Sequence, residues 1–262
     1  MADDVIVVTG ANSGIGFHLA ASLTAEGYQV AALDVADEQL LKLQEIYSKR
    51  FLLCRCDVTS DADIARAIAA VLQRWGRIDI LVNNAALALF ELFEERPIEH
   101  TRREFEVNYF GYVRMIAAVL PHMKAQHRGI IHNVSSGVGI TGFPGLSGYA
   151  STKGAIEALT RTLALEFARE GIIVNLIQPP LTRTKSSAPL GVPARALADP
   201  AHVGRKLAKR IGSTAPTITP DLSTALGLLS MRLFPSQIGR LLSRLTERAR
   251  RTPTPGSSAT LP

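Results

Sequence analysis

The chain has 262 residues, of which 47% are hydrophobic, and its formal net charge is +6 at pH 7. This length and composition suffice for one large α/β domain with a buried core, so a second domain is not required. No apolar run reaches the ~18 residues of a membrane span, and Met1 leads directly into a strand-like segment rather than a signal peptide, which together predict a cytoplasmic protein.

Six strand-like segments alternate with helical ones through the first two thirds of the chain. The strands are VIVVTG, QVAALD, FLLCRCD, RIDILVNN, GIIHNVSS and GIIVNLIQ, and the helices cover about 15–25, 38–47, 61–75, 101–125 and a stretch that carries Tyr149 and ends near 169. The alternation predicts parallel βαβ crossovers and a doubly wound parallel sheet. Cys54 and Cys56 lie two apart in one strand, a poor geometry for a mutual disulfide, so we interpret them as reduced thiols.

Beyond Gln178 the alternation stops. The stretch PPLTRTKSSAPLGVPARALADP predicts a long loop of the kind that covers a substrate, and helices follow over about 200–211, 221–233 and 236–250. The last helix carries Ile238, Leu241, Leu242 and Leu245 on one face and arginines on the other. We favour a packed surface helix and keep a membrane-surface or partner helix as the alternative.

These features predict a single domain over 1–251, in which about 180–251 form the lid and the C-terminal helices. The ending TPTPGSSATLP, 252–262, has the composition of a disordered tail.

The positive charge is concentrated near the C-terminus. From Arg205 to Arg251 there are ten lysines and arginines against two acidic residues, a net charge of +8, so the rest of the chain sums to −2. No aromatic platform or nucleic-acid motif accompanies this charge, so we expect no nucleic-acid partner.

The first strand and helix meet at VIVVTGANSGIGFHLA, which places Gly10, Gly14 and Gly16 in the turn. Glycine permits the tight turn and lets the backbone approach a pyrophosphate, whose charge meets the amides at the helix N-terminus. The spacing is G-x3-G-x-G rather than G-x-G-x-x-G. Its position between a strand and a helix predicts a dinucleotide site.

Asp34 ends the second strand, twenty residues after Gly14. Its carboxylate can accept hydrogen bonds from the ribose hydroxyls of adenosine and would repel a 2′-phosphate. No Arg or Lys stands at Asn12, Ser13 or Val35 to bind that phosphate. The sequence therefore predicts NAD rather than NADP.

The stretch SGYASTKGAIEAL sets Tyr149 four residues ahead of Lys153. In a helix these side chains share a face, about 5–6 Å apart at Cβ, so the ammonium could favour the phenolate. By itself the pair is also typical of a solvated helix face, and only the surrounding motifs distinguish the two.

Together the motifs resemble those of the short-chain dehydrogenase/reductase family. TGANSGIG is similar to its TGxxxGxG, CDV to its adenine-side element and NNAA to its NNAG, while EVNYFG, NVSSGVG and YASTK follow in family order, over about 5–184. The resemblance implies a Rossmann-type fold and hydride transfer between a substrate and a nicotinamide cofactor. It also implies a homo-oligomer packed through the helices that carry Asn108 and Tyr149.

The resemblance implies four catalytic residues, Asn108, Ser136, Tyr149 and Lys153. Tyr149 would exchange the proton of the substrate hydroxyl, and Ser136 would hydrogen-bond the reacting oxygen. Lys153 would lower the pKa of the phenol and hold the nicotinamide ribose, and Asn108 would hold a water that extends a proton relay. Ser135 is the alternative to Ser136, but the family usually uses the second serine of the pair.

The residues expected to bind the cofactor are Gly10, Asn12, Ser13, Gly14, Ile15, Gly16, Asp34, Asp57, Val58, Asn84, Ala85, Ala86, Tyr149, Lys153, Pro179, Thr182 and Thr184. Three features depart from the family pattern. Ala86 replaces a glycine, Pro180 replaces another and removes an amide donor, and the C-terminal helices stand in place of a clear seventh strand.

The predicted function is NAD-dependent interconversion of a secondary alcohol and a ketone. The apolar residues beyond Gln178 indicate a hydrophobic substrate such as a steroid, a retinoid or a long-chain alcohol; they are Pro189, Leu190, Val192, Leu226, Leu228, Leu229, Met231, Leu233 and Phe234. The alternatives are a non-catalytic NAD-binding regulator and a membrane-surface protein held by the basic C-terminal helix. No metal site is predicted.

Overall fold

The computed structural model describes residues 4–251, with side chains up to Arg244. The predicted disordered tail, 252–262, lies outside the described residues. No helix in the described part of the chain is long and apolar enough to cross a membrane.

Seven parallel strands form one sheet in the order β3-β2-β1-β4-β5-β6-β7. They are β1 (Val5–Thr9), β2 (Gln29–Asp34), β3 (Phe51–Arg55), β4 (Ile80–Asn83), β5 (Gly129–Val134), β6 (Ile172–Ile177) and β7 (Thr217–Ile218). In β1, Val5 and Val7 belong to one hydrophobic cluster and Ile6 and Val8 to another, so both faces of the sheet are buried. The predicted doubly wound parallel sheet is confirmed.

The described part of the chain contains ten α-helices, most of which pack on the two faces of the sheet. They are α1 (Gly14–Ala25), α2 (Leu40–Ile46), α3 (Asp61–Trp75), α4 (Ile98–Phe105), α5 (Gly111–Ala125), α6 (Val138–Thr141), α7 (Ser147–Glu166), α8 (Pro200–Ala208), α9 (Leu222–Leu233) and α10 (Pro235–Arg251). Val71 of α3 and Val119 of α5 pack with Val5 and Val7. Leu23 of α1 and Leu207 of α8 pack on the opposite face.

The strand order changes direction at β1, which has β2 on one side and β4 on the other. In sheets of this kind ligands bind beyond the carboxyl ends of the strands at this point. Thr9, Asn83, Val134 and Ile177 end the strands there. The segments that follow them carry most of the predicted site residues.

The helix predicted over 101–125 is interrupted. Five residues from Glu106 to Phe110 form a π-helical turn between α4 and α5, with Asn108 at its centre. Such turns occur mostly as single insertions within α-helices, and they are frequent at functional sites. Hydrophobic periodicity does not report a one-residue widening of a helix, so this turn could not be predicted from the sequence.

The absence of a clear seventh strand was a wrong expectation. Thr217 and Ile218 pair in parallel with Leu176 and Ile177, and the Gln178 amide donates to the Ile218 carbonyl at 2.9 Å. The strand is too short to produce an alternating pattern, which is why sequence periodicity missed it. The helical extension begins only after it, with α9 and α10.

Candidate active site

A cavity of about 1490 Å³ opens at the carboxyl ends of the strands, between the turn after β1 and the lid that follows β6. Nearly all the predicted cofactor residues line it: Gly10, Ser13, Gly14, Ile15, Asp34, Asp57, Val58, Asn84, Ala85, Ala86, Tyr149, Lys153, Pro179, Thr182 and Thr184. Asn12 and Gly16 lie behind this lining and support the turn. Of the four predicted catalytic residues, Ser136, Tyr149 and Lys153 line the cavity, and Asn108 is buried beside it.

The glycine turn is shaped by close packing. Gly10 and Gly14 adopt positive φ angles of 63° and 55°, which favour glycine. A Cβ at Gly16 would collide with the Gly10 carbonyl oxygen and lie 2.5 Å from Nδ2 of Asn84. The Ser13 side chain makes no capping hydrogen bond to α1, so the first amides of that helix remain available to a phosphate. The turn therefore fits a dinucleotide pyrophosphate.

Asp34 is held at the cavity edge by two backbone amides. The amides of Asn12 and Ala36 donate to its carboxylate at 2.8 and 3.1 Å, one to each oxygen. A carboxylate has about four acceptor positions, so both oxygens can still accept from ribose hydroxyls. The Asn12 side chain points elsewhere, because it donates to Glu38 and accepts from the Gln39 amide.

Arg55 is a nearby cation that the sequence analysis overlooked. It pairs in register with Asp34 on the neighbouring strand, and its Nε donates to the Val35 carbonyl at 3.1 Å. Arg55 does not line the cavity, whereas Asp34 and Val35 do. The side chain that reaches the cavity at this position is therefore a carboxylate.

The segment after β4 is fastened to the end of β1. The amides of Asn84 and Ala85 donate to the Thr9 hydroxyl, and Asn84 Nδ2 donates to the carbonyls of Thr9 and Gly10 at 3.0 Å each. Ala86 follows and lines the cavity without breaking this contact. On the opposite wall the Thr182 hydroxyl donates to the Pro180 carbonyl at 2.7 Å. Pro180 thus forms part of an ordered turn at the cavity.

The two serines after β5 have different partners. The Ser135 hydroxyl donates to the backbone carbonyl of Lys153 and approaches the Glu157 carboxylate, at 3.3 and 3.5 Å. The Ser136 side chain is less buried than that of Ser135 and lies close enough to the Tyr149 phenol to act against the rise of its pKa. This geometry favours Ser136 over Ser135 as the serine that meets a reacting oxygen.

Burial moves the pKa values of Tyr149 and Lys153 in opposite directions. It raises the pKa of Tyr149 to about 12; the hydrogen bond from Ser136 opposes this rise, and the Glu104 carboxylate adds to it. Burial lowers the pKa of Lys153 to about 7, because the charged ammonium loses its hydration. Lys153 therefore titrates near neutrality, and the protein alone does not hold Tyr149 as a phenolate at that pH.

Asn108 acts on the cavity wall through hydrogen bonds rather than by lining it. Its side chain accepts from the Leu87 amide at 2.7 Å and donates to the Leu87 carbonyl at 2.8 Å. It also donates to the Thr152 hydroxyl, at 3.1 Å, next to Lys153 in α7. The π-helical turn thus joins the segment after β4 to the helix that carries Tyr149.

Two further residues belong to the site. Lys153 Nζ donates to the Tyr112 hydroxyl at 3.3 Å and to the Val134 carbonyl at 2.8 Å. Gln178 Nε2 donates to Glu157, while Gln178 Oε1 has no hydrogen-bond partner among the described residues and the side chain lines the cavity. An aromatic residue inside a helix indicates core, so the sequence did not distinguish Tyr112. Gln178 is identifiable as the residue that directly follows β6 at the site.

The apolar residues beyond Gln178 fall into two groups. Leu190, Val192, Leu228 and Met231 line the cavity. Pro189, Leu226, Leu229, Leu233 and Phe234 are instead exposed and do not line it. Only part of this apolar composition therefore contributes to the cavity, because α9 has a cavity face and an outer face.

A parallel sheet with a glycine turn at its switch point and a Ser-Tyr-Lys group in the adjoining cavity defines a nucleotide-binding oxidoreductase. The family model described as short chain dehydrogenase matches residues 4–192. The chain belongs to the short-chain dehydrogenase family.

One similar relative is the 2-(R)-hydroxypropyl-CoM dehydrogenase of Xanthobacter autotrophicus, which is 37% identical over 187 residues, covering 69% of this chain and 75% of that protein. Among solved structures, a short-chain dehydrogenase from Streptomyces avermitilis matches with a TM-score of 0.78 at 30% identity. That match covers 96% of this chain and 99% of the other.

Structural neighbours carry either nicotinamide cofactor. The 3-ketoacyl-(acyl-carrier-protein) reductase of Brucella melitensis, complexed with NADH, matches with a TM-score of 0.74 at 27% identity, over 84% of this chain and 96% of the other. ElxO with NADP bound matches with a TM-score of 0.73 at 26% identity, over 83% and 95%. The likeness of fold therefore leaves the choice of cofactor to the residues of the site.

Proposed function

We propose that this protein interconverts a hydrophobic secondary alcohol and a ketone with NAD as the cofactor. The observation that carries the proposal is the position of Ser136, Tyr149 and Lys153 in one cavity, between a dinucleotide turn and an apolar wall. Membership of the short-chain dehydrogenase family supports the reaction class.

The roles follow from the groups and their surroundings. When bound, the nicotinamide supplies the hydride acceptor or donor. In alcohol oxidation Tyr149 takes the hydroxyl proton, and in ketone reduction it returns that proton to the oxygen. Ser136 donates a hydrogen bond to the same oxygen and stabilises the charge that develops there. Lys153 favours the phenolate when it is protonated, and its pKa of about 7 lets it exchange a proton near neutrality.

Asp34 supports NAD over NADP. Its carboxylate occupies the edge of the cavity at the end of β2 and keeps acceptor positions for two ribose hydroxyls. A 2′-phosphate at this position would meet that negative charge, and Arg55 is engaged with the Val35 carbonyl outside the cavity lining. Because NAD is usually kept oxidised in cells, we propose alcohol oxidation as the physiological direction.

The walls of the substrate half support an apolar ligand. Leu190 and Val192 of the lid, Leu228 and Met231 of α9, and Phe143 after α6 line this region. A steroid, a retinoid or a long-chain alcohol would bury its hydrocarbon against them. The reduced thiols of Cys54 and Cys56 fit the cytoplasm, where we place the protein.

We also propose a homo-oligomer that packs through the helices carrying Asn108 and Tyr149. Phe110, in the π-helical turn, and Leu165, near the end of α7, are exposed apolar residues on these helices. Replacing Leu165 by Glu should lower the mass measured by light scattering. An unchanged mass, or a monomer in the unaltered protein, would contradict this assembly.

The reaction is tested with a panel of hydrophobic secondary alcohols and ketones followed at the NADH absorbance. We expect turnover with NAD and at least one long apolar alcohol, and weaker activity with short or charged alcohols. Tight NAD binding without turnover of any member would favour the regulator instead. Turnover only of charged alcohols would overturn the substrate class and leave the oxidoreductase intact.

A further inference from the structure

Helix α9 carries an exposed apolar stripe on the side opposite the cavity. Leu222, Leu226, Leu229 and Leu233 are 75%, 57%, 52% and 62% exposed. Their intervals of four, three and four residues place them along one helix face. Single exposed leucines are ordinary on protein surfaces, whereas a continuous stripe marks a docking surface.

The fold sets this stripe in a fixed orientation. At the start of α9, Asp221 accepts from the Thr224 amide and from Lys206 Nζ, at 2.9 Å each. Near its end, Arg232 donates to the buried carboxylate of Glu157 at 3.1 Å. Both ends of α9 are therefore tied to the domain, and the leucines face outward as a consequence of the fold rather than of a loose helix.

The charge of the helix that follows the stripe indicates what covers it. Helix α10 follows directly, and Arg240 and Arg244 are exposed on it with no carboxylate within ion-pair distance among the described side chains. From Arg205 to Arg251 the net charge is +8, against −2 for the rest of the chain. A partner that buries the leucines must also accept these cations, so it combines apolar and anionic groups.

Two other occupants fit this chemistry poorly. A second copy of the same surface would bring two strongly cationic regions together, which repel each other. The last eleven residues, TPTPGSSATLP, contain no acidic residue and one leucine, so they match neither the charge nor the stripe. An anionic lipid surface supplies negative headgroups above an apolar layer, as this surface requires.

We propose that the outer faces of α9 and α10 form a docking surface for an anionic lipid membrane, defined by the four leucines of the stripe with Arg240 and Arg244. This docking places the membrane on the outer side of a helix whose inner side, through Leu228 and Met231, walls the cavity. The docking does not depend on the identity of the substrate.

The test is cosedimentation of the full chain with phosphatidylcholine vesicles, with and without phosphatidylserine at about a quarter of the lipid. We expect binding only to the phosphatidylserine vesicles, and weaker binding at high salt because ions screen the arginines. Equal binding to both vesicle types, or binding to neither, would overturn the proposal.

Two double variants with matched controls test the surface itself. Leu226→Gln with Leu229→Gln should weaken vesicle binding at least tenfold, because the buried apolar area is lost. Arg240→Gln with Arg244→Gln should weaken it about thirtyfold, at roughly fivefold per cation. The controls are Leu41→Gln with Ile46→Gln and Lys42→Gln with Lys49→Gln, which change the same chemistry on exposed positions of and beside α2.

The controls should leave vesicle binding unchanged. All four variants should keep the unfolding temperature and NADH affinity of the unaltered protein, since the replaced side chains are exposed. If the leucine variant binds vesicles as well as its control, the stripe is not the membrane contact. If that variant instead loses mass in light scattering, a second copy covers the stripe and the proposal falls.

Discussion

The two halves of the cavity are built by different means. The cofactor half is made of backbone turns at strand ends, held by glycines and by amide contacts such as those of Thr9 and Asn84. The substrate half is made of side chains from the lid and from α9. Backbone turns impose residue types at fixed spacings, whereas a wall of side chains requires only volume and polarity. This difference explains why the cofactor half requires specific residue types, whereas the residue types of the substrate half can vary.

The largest expected contrast comes from adding one methyl group to each half. Gly16→Ala in the cofactor half should cost about 3 kcal/mol or more in unfolding free energy, because the new Cβ meets backbone, and NADH binding should be lost. Gly227→Ala in α9 meets no atom within 4 Å and should stabilise by up to about 1 kcal/mol through helix propensity. Thermal unfolding and NADH titration compare the two, and equal losses would erase the distinction between the halves.

Asp34→Asn tests the choice of cofactor in the cofactor half. Removing the negative charge weakens the hydrogen bonds to ribose and relieves repulsion of a 2′-phosphate, so the preference for NAD over NADP should fall by roughly thirtyfold, or about 2 kcal/mol. The ratio of kcat/KM with the two cofactors measures it. Asp37→Asn is the control, since Asp37 does not line the cavity, and an unchanged ratio in Asp34→Asn would remove the basis for NAD.

Lys153→Met tests the cost of burying an ammonium between the two halves. The pKa of Lys153 falls from 10.5 to about 7 in the folded protein. Below pH 10.5 the unfolded chain carries a protonated Lys153, so folding must either release this proton or bury the charge, and either one lowers the free energy of unfolding. This penalty is complete below pH 7 and disappears as pH rises through 10.5. The hydrogen bonds that Nζ makes to Tyr112 and Val134 are lost in the variant and offset part of this cost, so the variant should be more stable by about 2 kcal/mol at pH 6 and should lose that advantage toward pH 10.

Denaturant unfolding at several pH values measures this difference, with the exposed Lys42→Met as the control. A constant difference across the pH range would contradict the lowered pKa. Lys153→Met should also lose activity, because residues that a site needs for function often lower the stability of the fold.

Tyr112→Phe has the smallest expected effect and concerns the support of Lys153. Losing the 3.3 Å contact from Nζ should cost only about 1 kcal/mol, because the Val134 carbonyl still accepts from the same ammonium. The activity–pH profile should shift while the KM for NAD changes little. A profile that matches the unaltered protein would leave Tyr112 with a packing role alone.

The cofactor half could be predicted from the sequence because its physics is local. A glycine turn, a carboxylate at a strand end and the Tyr149–Lys153 interval each require particular residue types. Of the predicted cofactor-binding and catalytic residues, all except Asn12, Gly16 and Asn108 line the cavity. These three residues lie behind the cavity lining and support the residues that form it. Their supporting contacts are set by packing, which residue spacing does not report.

The C-terminal region was harder to predict for physical reasons. Strand β7 has two residues, too few for a period, and the π-helical turn at Asn108 changes no hydrophobic pattern. The leucines of α9 resemble a buried face in sequence, yet four of them face outward. Which side of an apolar helix meets the core depends on contacts between distant elements, such as Arg232 with Glu157.

Whether Tyr149 exchanges the proton of the substrate is measured with Tyr149→Phe, with Tyr109→Phe as the matched control. The variant should lose at least about a thousandfold in kcat for alcohol oxidation, because the proton acceptor is gone. Its NADH affinity, measured by fluorescence titration, should stay within about twofold, since the turn after β1 and Asp34 are untouched. Full activity in Tyr149→Phe would contradict the assignment of this tyrosine as the catalytic acid–base group.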